Sequence, residues 1–448
     1  MRAALRLLPF ERALPPCIAL TVFAFACGSS SVAAIDRDGK HARWAMLVVL
    51  LVVAAGAAWR AAPRRLPRGF AAAVWLAVLA TVSTLWSVDP RLTFERAGSF
   101  VLLVATAGLA AAACARPADA ERALGGILAG AVLVALAGVA LLAVDRGDAL
   151  QHGSTGVPTR FRGLGESANT SSLLIGLALP LAVYAVLRAQ RARHRVAGAL
   201  VFLLLDGSIV GSGSRAPLVA GFAAALGLVA LAPARRVAFG AAVLVLLGLS
   251  VGLGTIPKPL ASGSKPAVAA PAGPRAAPGY VNAEEAFPLE ADIGRSLPHE
   301  GGAEAPRSLT GSSGRTEAWR GALHEAARRP VAGHGFGTEA RVFVDRYFFF
   351  AGDLPENSYI GVLLQLGVVG LVSFLGMFAL WFGAGARAWL RAAPRDRLTL
   401  AACAATLGAA LVMAFVQSYF DSVGNIATLS LWLAGLLLVS AAAEVRNA

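Results

Sequence analysis

ALGGILAGAVLVALAGVALLAV, residues 123–144, carries no charged or hydrogen-bonding side chain anywhere along its length. As an α-helix rising 1.5 Å per residue it reaches about 33 Å, the thickness of a bilayer's hydrocarbon core. Similar apolar runs lie on both sides of it, near 14–34, 44–62, 69–87, 97–115, 168–188, 196–214, 216–232, 236–256, 358–384, 398–417 and 425–443. A helix needs about 20 apolar residues to cross, so together these runs predict an all-α polytopic membrane protein with about 12 transmembrane helices. Composition agrees: 57% of the 448 residues are apolar, 15% are charged and the mean hydropathy is +0.66. The first run has a second reading. Arg2, Arg6 and Arg12 ahead of it and the small residues ACGSS within it also fit a signal peptide.

The net charge of +14 is almost all arginine, since lysine stands only at 40, 258 and 265. Where the arginines lie fixes an orientation. The ends and turns on one side of the membrane hold 20 basic residues, the short turns on the other hold 9, and 11 fall in the long segment between the ninth and tenth spans. The basic side is expected in the cytoplasm. Both termini then face the cytoplasm, and the long loop lies outside it. Such a pattern gives nucleic acid no part. Cys17, Cys27, Cys114 and Cys403 all sit in apolar runs with no CxxC pair, which argues against a disulfide, a metal site or a redox centre.

Three regions follow: spans one to nine over 1–256, an extracytoplasmic loop over 257–357, and spans ten to twelve over 358–448. Within the loop, 257–310 is rich in Pro, Ala, Gly and Ser, as in KPLASGSKPAVAAPAGPRAAPG, and reads as a flexible linker. Order is expected from 311 to 357. SSGRTEAWRGALHEAARRP has helix signals, with Arg315 in the first turn, Trp319, Leu323 and Ala326 on one face and Pro330 as a stop. TEARVFVDRYFFF reads as a second short helix.

TLWSVDPRLTFERA, RFRGLGESANTSSLLIGLALPL, GSGSRAPLVAG, SGRTEAWRGALHEAARRPVAGHGFG and PENSYIGVLLQLGVVGLVSFLG occur in that order along the chain. With this topology, the chain resembles the O-antigen ligase and polysaccharide polymerase family of bacterial membrane glycosyltransferases. The resemblance implies a GT-C type helical fold in the cytoplasmic membrane. It also implies transfer of a glycan from an undecaprenyl-diphosphate-linked donor to a glycan or lipid-linked acceptor hydroxyl outside the cytoplasm, without metal or cofactor. Where ligases of the family show His-Asn before the tenth span, this chain has Glu356-Asn357. The resemblance therefore leaves ligase and polymerase both open.

Such a reaction must stabilise a departing diphosphate and take a proton from the acceptor. Arginine suits the first task, because its planar guanidinium stays charged and grips phosphate oxygens in pairs. The outward candidates for substrate binding are Arg160, Arg162, Arg215, Arg315 and Arg320, with Asn357 beside them in the last motif. Arg320 also fits a solvated helix face. Arg91 and Arg96 are expected to pair with Asp89 and Glu95, and Arg328 and Arg329 to serve a helix C-terminus. Glu356 and His334 are the candidate catalytic bases. Glu356 also fits an acidic helix start, and His334 a plain turn residue. Asp206 lies mid-span, with Asn169 or a hydroxyl as its expected partner. A transporter or flippase for a lipid-linked oligosaccharide is the alternative, since it too would need an outward cationic cavity. The orientation is testable. A Gly301→Cys variant lacking the native cysteines should react with an impermeant maleimide in intact cells, and reaction only after permeabilisation would invert the topology.

Overall fold

The computed structural model describes residues 10–61, 68–151, 159–232, 234–255, 315–343 and 354–447. The expected flexible segment 257–310 falls outside them. In chain order the elements are α1 (Phe10–Cys27), α2 (Ala33–Ala61), α3 (Arg68–Val82, continued by a 3-10 turn at Ser83–Trp86), α4 (Pro90–Ala113), α5 (Pro117–Val144) and the single turn α6 (Arg146–Ala149). A two-residue ribbon follows, β1 (Leu150–Gln151) and β2 (Arg160–Phe161). It is antiparallel, with Leu150 opposite Phe161 and Gln151 opposite Arg160. Then come α7 (Ala168–Arg188), α8 (Ala192–Ser212), α9 (Arg215–Ala230), α10 (Arg235–Gly254), α11 (Arg315–Ala326), α12 (Glu339–Val342), α13 (Ser358–Arg391), α14 (Pro394–Met413) and α15 (Thr428–Asn447).

Among the described residues, 11 helices are long and apolar enough to cross a membrane, and α9 is a shorter apolar helix that takes the place of the remaining expected span. Local chemistry starts them. Asp89 caps α4 by accepting from the Leu92 amide at 3.0 Å, with Pro90 in the first helical position; Ser167 caps α7 in the same way through Thr170. In the opening stretch, Leu133, Leu136 and Val139 are exposed along one stripe of α5, while Ile127, Ala131 and Val134 on the other are buried. That helix therefore offers one side to lipid. Gly126 and Gly130 are spaced so that α5 can approach α1 to backbone contact: a Cβ on Gly126 would lie 2.6 Å from the Pro15 carbonyl. At the centre, α7 and α15 are buried nearly throughout. An aromatic cluster of Phe100, Phe374, Phe378, Phe420, Trp381 and Trp432 fills the space around α15. Both indole N–H groups are satisfied, Trp381 donating to Gly69 O and Trp432 to Phe420 O.

The feature that shapes the end of the bundle carrying the 315–343 segment is a break in α13. Gly367 has φ +64°, and it divides 358–366 from 368–391. The second part alone is long enough to cross a bilayer. The break leaves carbonyls and amides without helical partners, and the loop segment 330–335 supplies them. His334 and Gly335 amides donate to the carbonyls of Leu364 and Gln365 at 3.0 and 2.8 Å, while the amides of Val368 and Val369 donate to the carbonyls of Pro330 and Val331 at 2.8 and 3.2 Å. Two glycines permit this approach. Gly333 has φ +68°, and a Cβ there would meet the Gln365 backbone at 2.4 Å; at Gly367 it would meet Val331 O at 2.2 Å. Phe336 then enters the core, 5.1 Å from the Phe100 ring, with its amide on Ser83 Oγ at 3.0 Å.

Gly333→Ala and Gly367→Ala should each lower the melting temperature of the detergent-purified protein by several degrees, through both strained φ and backbone collision. Gly376→Ala, in a helical position where an added Cβ meets nothing within 4 Å, should leave it unchanged or raise it. Equal behaviour of the three would remove the docked loop as a stabilising element.

Candidate active site

Long-range contacts gather the turns at one end of the bundle. Glu166 N–H donates to Ser29 O, Arg43 donates to the carbonyls of Gly28 and Gly424, and Val88 N–H donates to His334 O. Every site residue expected from the sequence, from Arg160 to Asn357, belongs to this end.

Helix α11 begins at Arg315. Its buried face is Ala318, Ala322 and Ala326, packed with Phe343 on Leu364, whereas Leu323 is exposed. Of the expected Trp319–Leu323–Ala326 face, Ala326 is buried and Trp319 half-buried, while Leu323 is the correction. Three alanines one turn apart let the helix lie closer to α13 than large side chains would, with Trp319 half-buried and Leu323 turned outward. The seating brings the Arg315 guanidinium within 3.7 Å of the Glu356 carboxylate, both side chains largely covered. Glu356 is the one non-glycine residue with positive φ among the described residues, at +50°, a strained conformation of the kind found at functional sites. It is not the helix cap. Asn357 fills that role, its Oδ1 accepting from the Tyr359 and Ile360 amides at 3.0 and 3.1 Å, and its own amide donates to Ser418 Oγ. Burial pushes the Glu356 carboxyl above its ordinary range, with Arg315 opposing the shift. Arg320, one turn further along, is exposed.

A second group surrounds the turn between α8 and α9. Arg160 is buried at 6% exposure, with Nε donating to Ser212 O at 2.5 Å and Nη2 to Asn169 Oδ1 at 2.7 Å and Ser214 Oγ at 2.8 Å. It clamps the ribbon to the start of α7 and to the hairpin from which Arg215 opens α9. Arg162 turns the other way. Its Nε donates to Asp148 O at 2.8 Å, and it faces the Asp148 carboxylate at 3.7 Å. The structure thus brings Arg160 and Arg215 to one hairpin and Arg315 to Glu356, and engages Arg162 with the α6 turn. The Arg160 contact also takes the Asn169 side chain that had been expected beside Asp206. Asp206 Oδ1 instead has no hydrogen-bond partner among the described residues, and its other oxygen faces Gly248.

His334 is buried, with Nε2 donating to Glu325 O at 3.1 Å. Burial holds its pKa below the usual value, with Arg329 and Arg328 adding to that shift while the Glu325 contacts oppose it. Its ring therefore joins α11 to the docked loop. Two arginine expectations are also corrected. Arg91 does pair with Glu95 at 3.2 Å, but Asp89 caps α4 and meets Arg341 at 3.4 Å. Arg96 instead lays its side chain on Gly337. Arg328 pairs with Glu325 at 3.2 Å, but Arg329 donates to Trp86 O at 3.1 Å, fastening the loop to another turn.

Sequence reading missed a group of acids behind this pair. Glu339 is buried in α12 against Gly361, and Gln365 donates to Asp421 Oδ2 at 2.7 Å while accepting from the Gly337 amide at 2.5 Å. Burial first, then the charges of Asp421 and Glu356, drive the Glu339 carboxyl well above its ordinary range; Gln365 and Arg96 oppose this. Asp421 is also raised by burial, its surroundings dense although the residue is partly accessible. The sequence offered one signal for each: Glu339 stands two residues after the glycine turn, and Asp421 stands alone in the short polar turn before the last span.

These observations define a polytopic α-helical membrane protein whose candidate site residues converge at one end of the bundle. Residues 198–375 match the family described as O-antigen ligase. The chain is also 27% identical over 180 residues to an O-antigen ligase of Pseudomonas aeruginosa, an alignment covering 40% of this chain and 32% of that relative. Segment 198–375 is thus similar to the O-antigen ligase family, and the alignment spans about a third of the length of that relative. The matched segment contains Arg215, Arg315, Arg320, His334, Glu356 and Asn357; Arg160 and Arg162 precede it.

The buried acids give a pH dependence. A carboxyl with a raised folded pKa contributes stability that is complete below its unfolded pKa and is lost as pH rises through the folded value. The melting temperature should therefore fall as pH rises from the ordinary carboxylate range, and Glu339→Gln should flatten part of that slope. An identical slope in the variant would show that Glu339 folds already ionised.

Proposed function

We propose that the protein is a metal-independent glycosyltransferase of the cytoplasmic membrane. It moves a glycan from an undecaprenyl-diphosphate-linked donor to a hydroxyl acceptor at the outer face, as an O-antigen ligase or polysaccharide polymerase does. The carrying observation is the 3.7 Å Arg315–Glu356 pair at the entrance to α13, within the segment that matches the family.

In this reading the ionised Glu356 carboxylate accepts the acceptor's hydroxyl proton as its oxygen bonds to the anomeric carbon of the donor glycan. The anomeric C–O bond to the diphosphate breaks, and undecaprenyl diphosphate leaves with the bonding pair. A raised pKa makes Glu356 a better proton acceptor than an ordinary surface carboxylate. Arg315 balances the growing charge on the leaving group, and Arg215 adds to it from the hairpin that Arg160 holds. Arg162, Arg320 and Asn357 then act by positioning: Arg162 through the α6 turn, Arg320 from the outer face of α11, and Asn357 by capping α13 beside the base. The break in α13 favours transfer over transport, because its exposed carbonyls and amides are taken up by 330–335 rather than left for a passing substrate.

Arg315→Lys keeps the charge but loses the fork, and should cost about 100-fold in turnover with normal insertion. Glu356→Gln should lower turnover about 100-fold or more while carrier-lipid binding persists. Wild-type activity should survive excess chelator. Unchanged turnover in both variants would sink this reading, as would a loss in chelator restored by magnesium. If Glu356→Gln were silent and His334→Ala inactive, the base would be His334.

A further inference from the structure

At the opposite end of the bundle, away from the glycan-transfer site, a cavity of about 640 Å³ opens between the start of α5, the end of α7 and the start of α14. Its chemistry changes with depth. The rim carries Arg188, Arg191 and Arg395 with one carboxylate, Glu121. Arg188 meets Glu121 at 2.8 Å and Arg395 meets it at 3.8 Å, so the single acid is shared and the rim keeps a net positive charge. Deeper, Leu124, Leu128 and Leu181 form an apolar wall. The lining on α5 runs from Glu121 to Leu128, so the floor lies about 10 Å inside the rim at 1.5 Å per residue. Gly125 borders this space, and an added Cβ there meets nothing within 4 Å.

A cationic rim above an apolar slot, at the ends of membrane helices, matches a molecule with a phosphate at one end and a hydrocarbon chain at the other. We propose that the cavity binds an anionic phospholipid of the leaflet opposite the glycan-transfer site, its phosphate on Arg188 and Arg191 and an acyl chain along the leucine wall. Glu121, shared with Arg395, holds Arg188 in place, and exposed Arg191 meets the headgroup from the rim. The inference concerns binding, and so stands or falls apart from the proposed glycan transfer.

The test is native mass spectrometry of the full-length protein in detergent, with phosphatidylglycerol, phosphatidylcholine and inorganic phosphate as probes. Phosphatidylglycerol should be retained at least about fivefold over phosphatidylcholine, a preference of the size expected for one added charge contact. Gly125→Leu fills the slot from an open position, and Arg191→Glu reverses an exposed rim charge; each should abolish the preference while leaving the melting temperature within about two degrees. Equal retention of the two lipids, or an undiminished preference in both variants, would overturn the proposal. So would inorganic phosphate displacing phosphatidylglycerol and losing its own binding in the same variants, which would make this a free-anion site.

Discussion

Near a membrane, a backbone amide or carbonyl without a partner is costly because water is scarce. This constraint governs the end of the protein that carries the candidate site. Gly367 interrupts α13 and exposes such groups, and the 330–335 segment covers them with four backbone hydrogen bonds. From that docking follow the positions of α11 above the break, Phe336 in the aromatic core, Gln365 between Gly337 and Asp421, and His334 beneath α11. The 330–335 segment is thereby fixed to the membrane helices, and Arg315 with it.

The charged residues at this end divide by what they hold. Arg160 and Arg162 differ by two positions, yet one clamps three partners in the α7–α9 corner and the other closes the α6 turn. Glu356 and Glu339 are both desolvated carboxyls. Glu356 faces a guanidinium and remains partly exposed, which suits a group that exchanges protons. Glu339 is enclosed with a second acid, so desolvation favours its neutral form and a role in holding α12 against α13. Burial raises both; the nearest charge separates them.

Basic residues are unevenly spread between the two ends, and the cavity on the arginine-rich end has a polar rim and an apolar floor. The proposed lipid contact draws on the same class of side chain from which the orientation is expected. Arg188, Arg191 and Arg395 stand where helices end, which is where either purpose would need them.

The sequence by itself determined the class of fold. Length and apolarity of the runs fix which segments cross, since transfer to lipid depends on composition summed over about 20 residues and hardly on neighbours. It also marked Arg315, Glu356 and Arg215, because a charge between apolar runs at a turn is conspicuous in one dimension. Tertiary structure alone decided how these residues are used. Arg96 turning to Gly337, Arg329 reaching Trp86 and Ala318 rather than Leu323 facing inward all depend on which helix lies alongside, a choice that propensity does not encode. Glu339 and Asp421, 82 positions apart, became neighbouring desolvated acids only when the loop entered the break in α13. Burial and pairing depend on distance in space, and a polar residue in a short turn looks the same in sequence whether it faces water or another carboxyl.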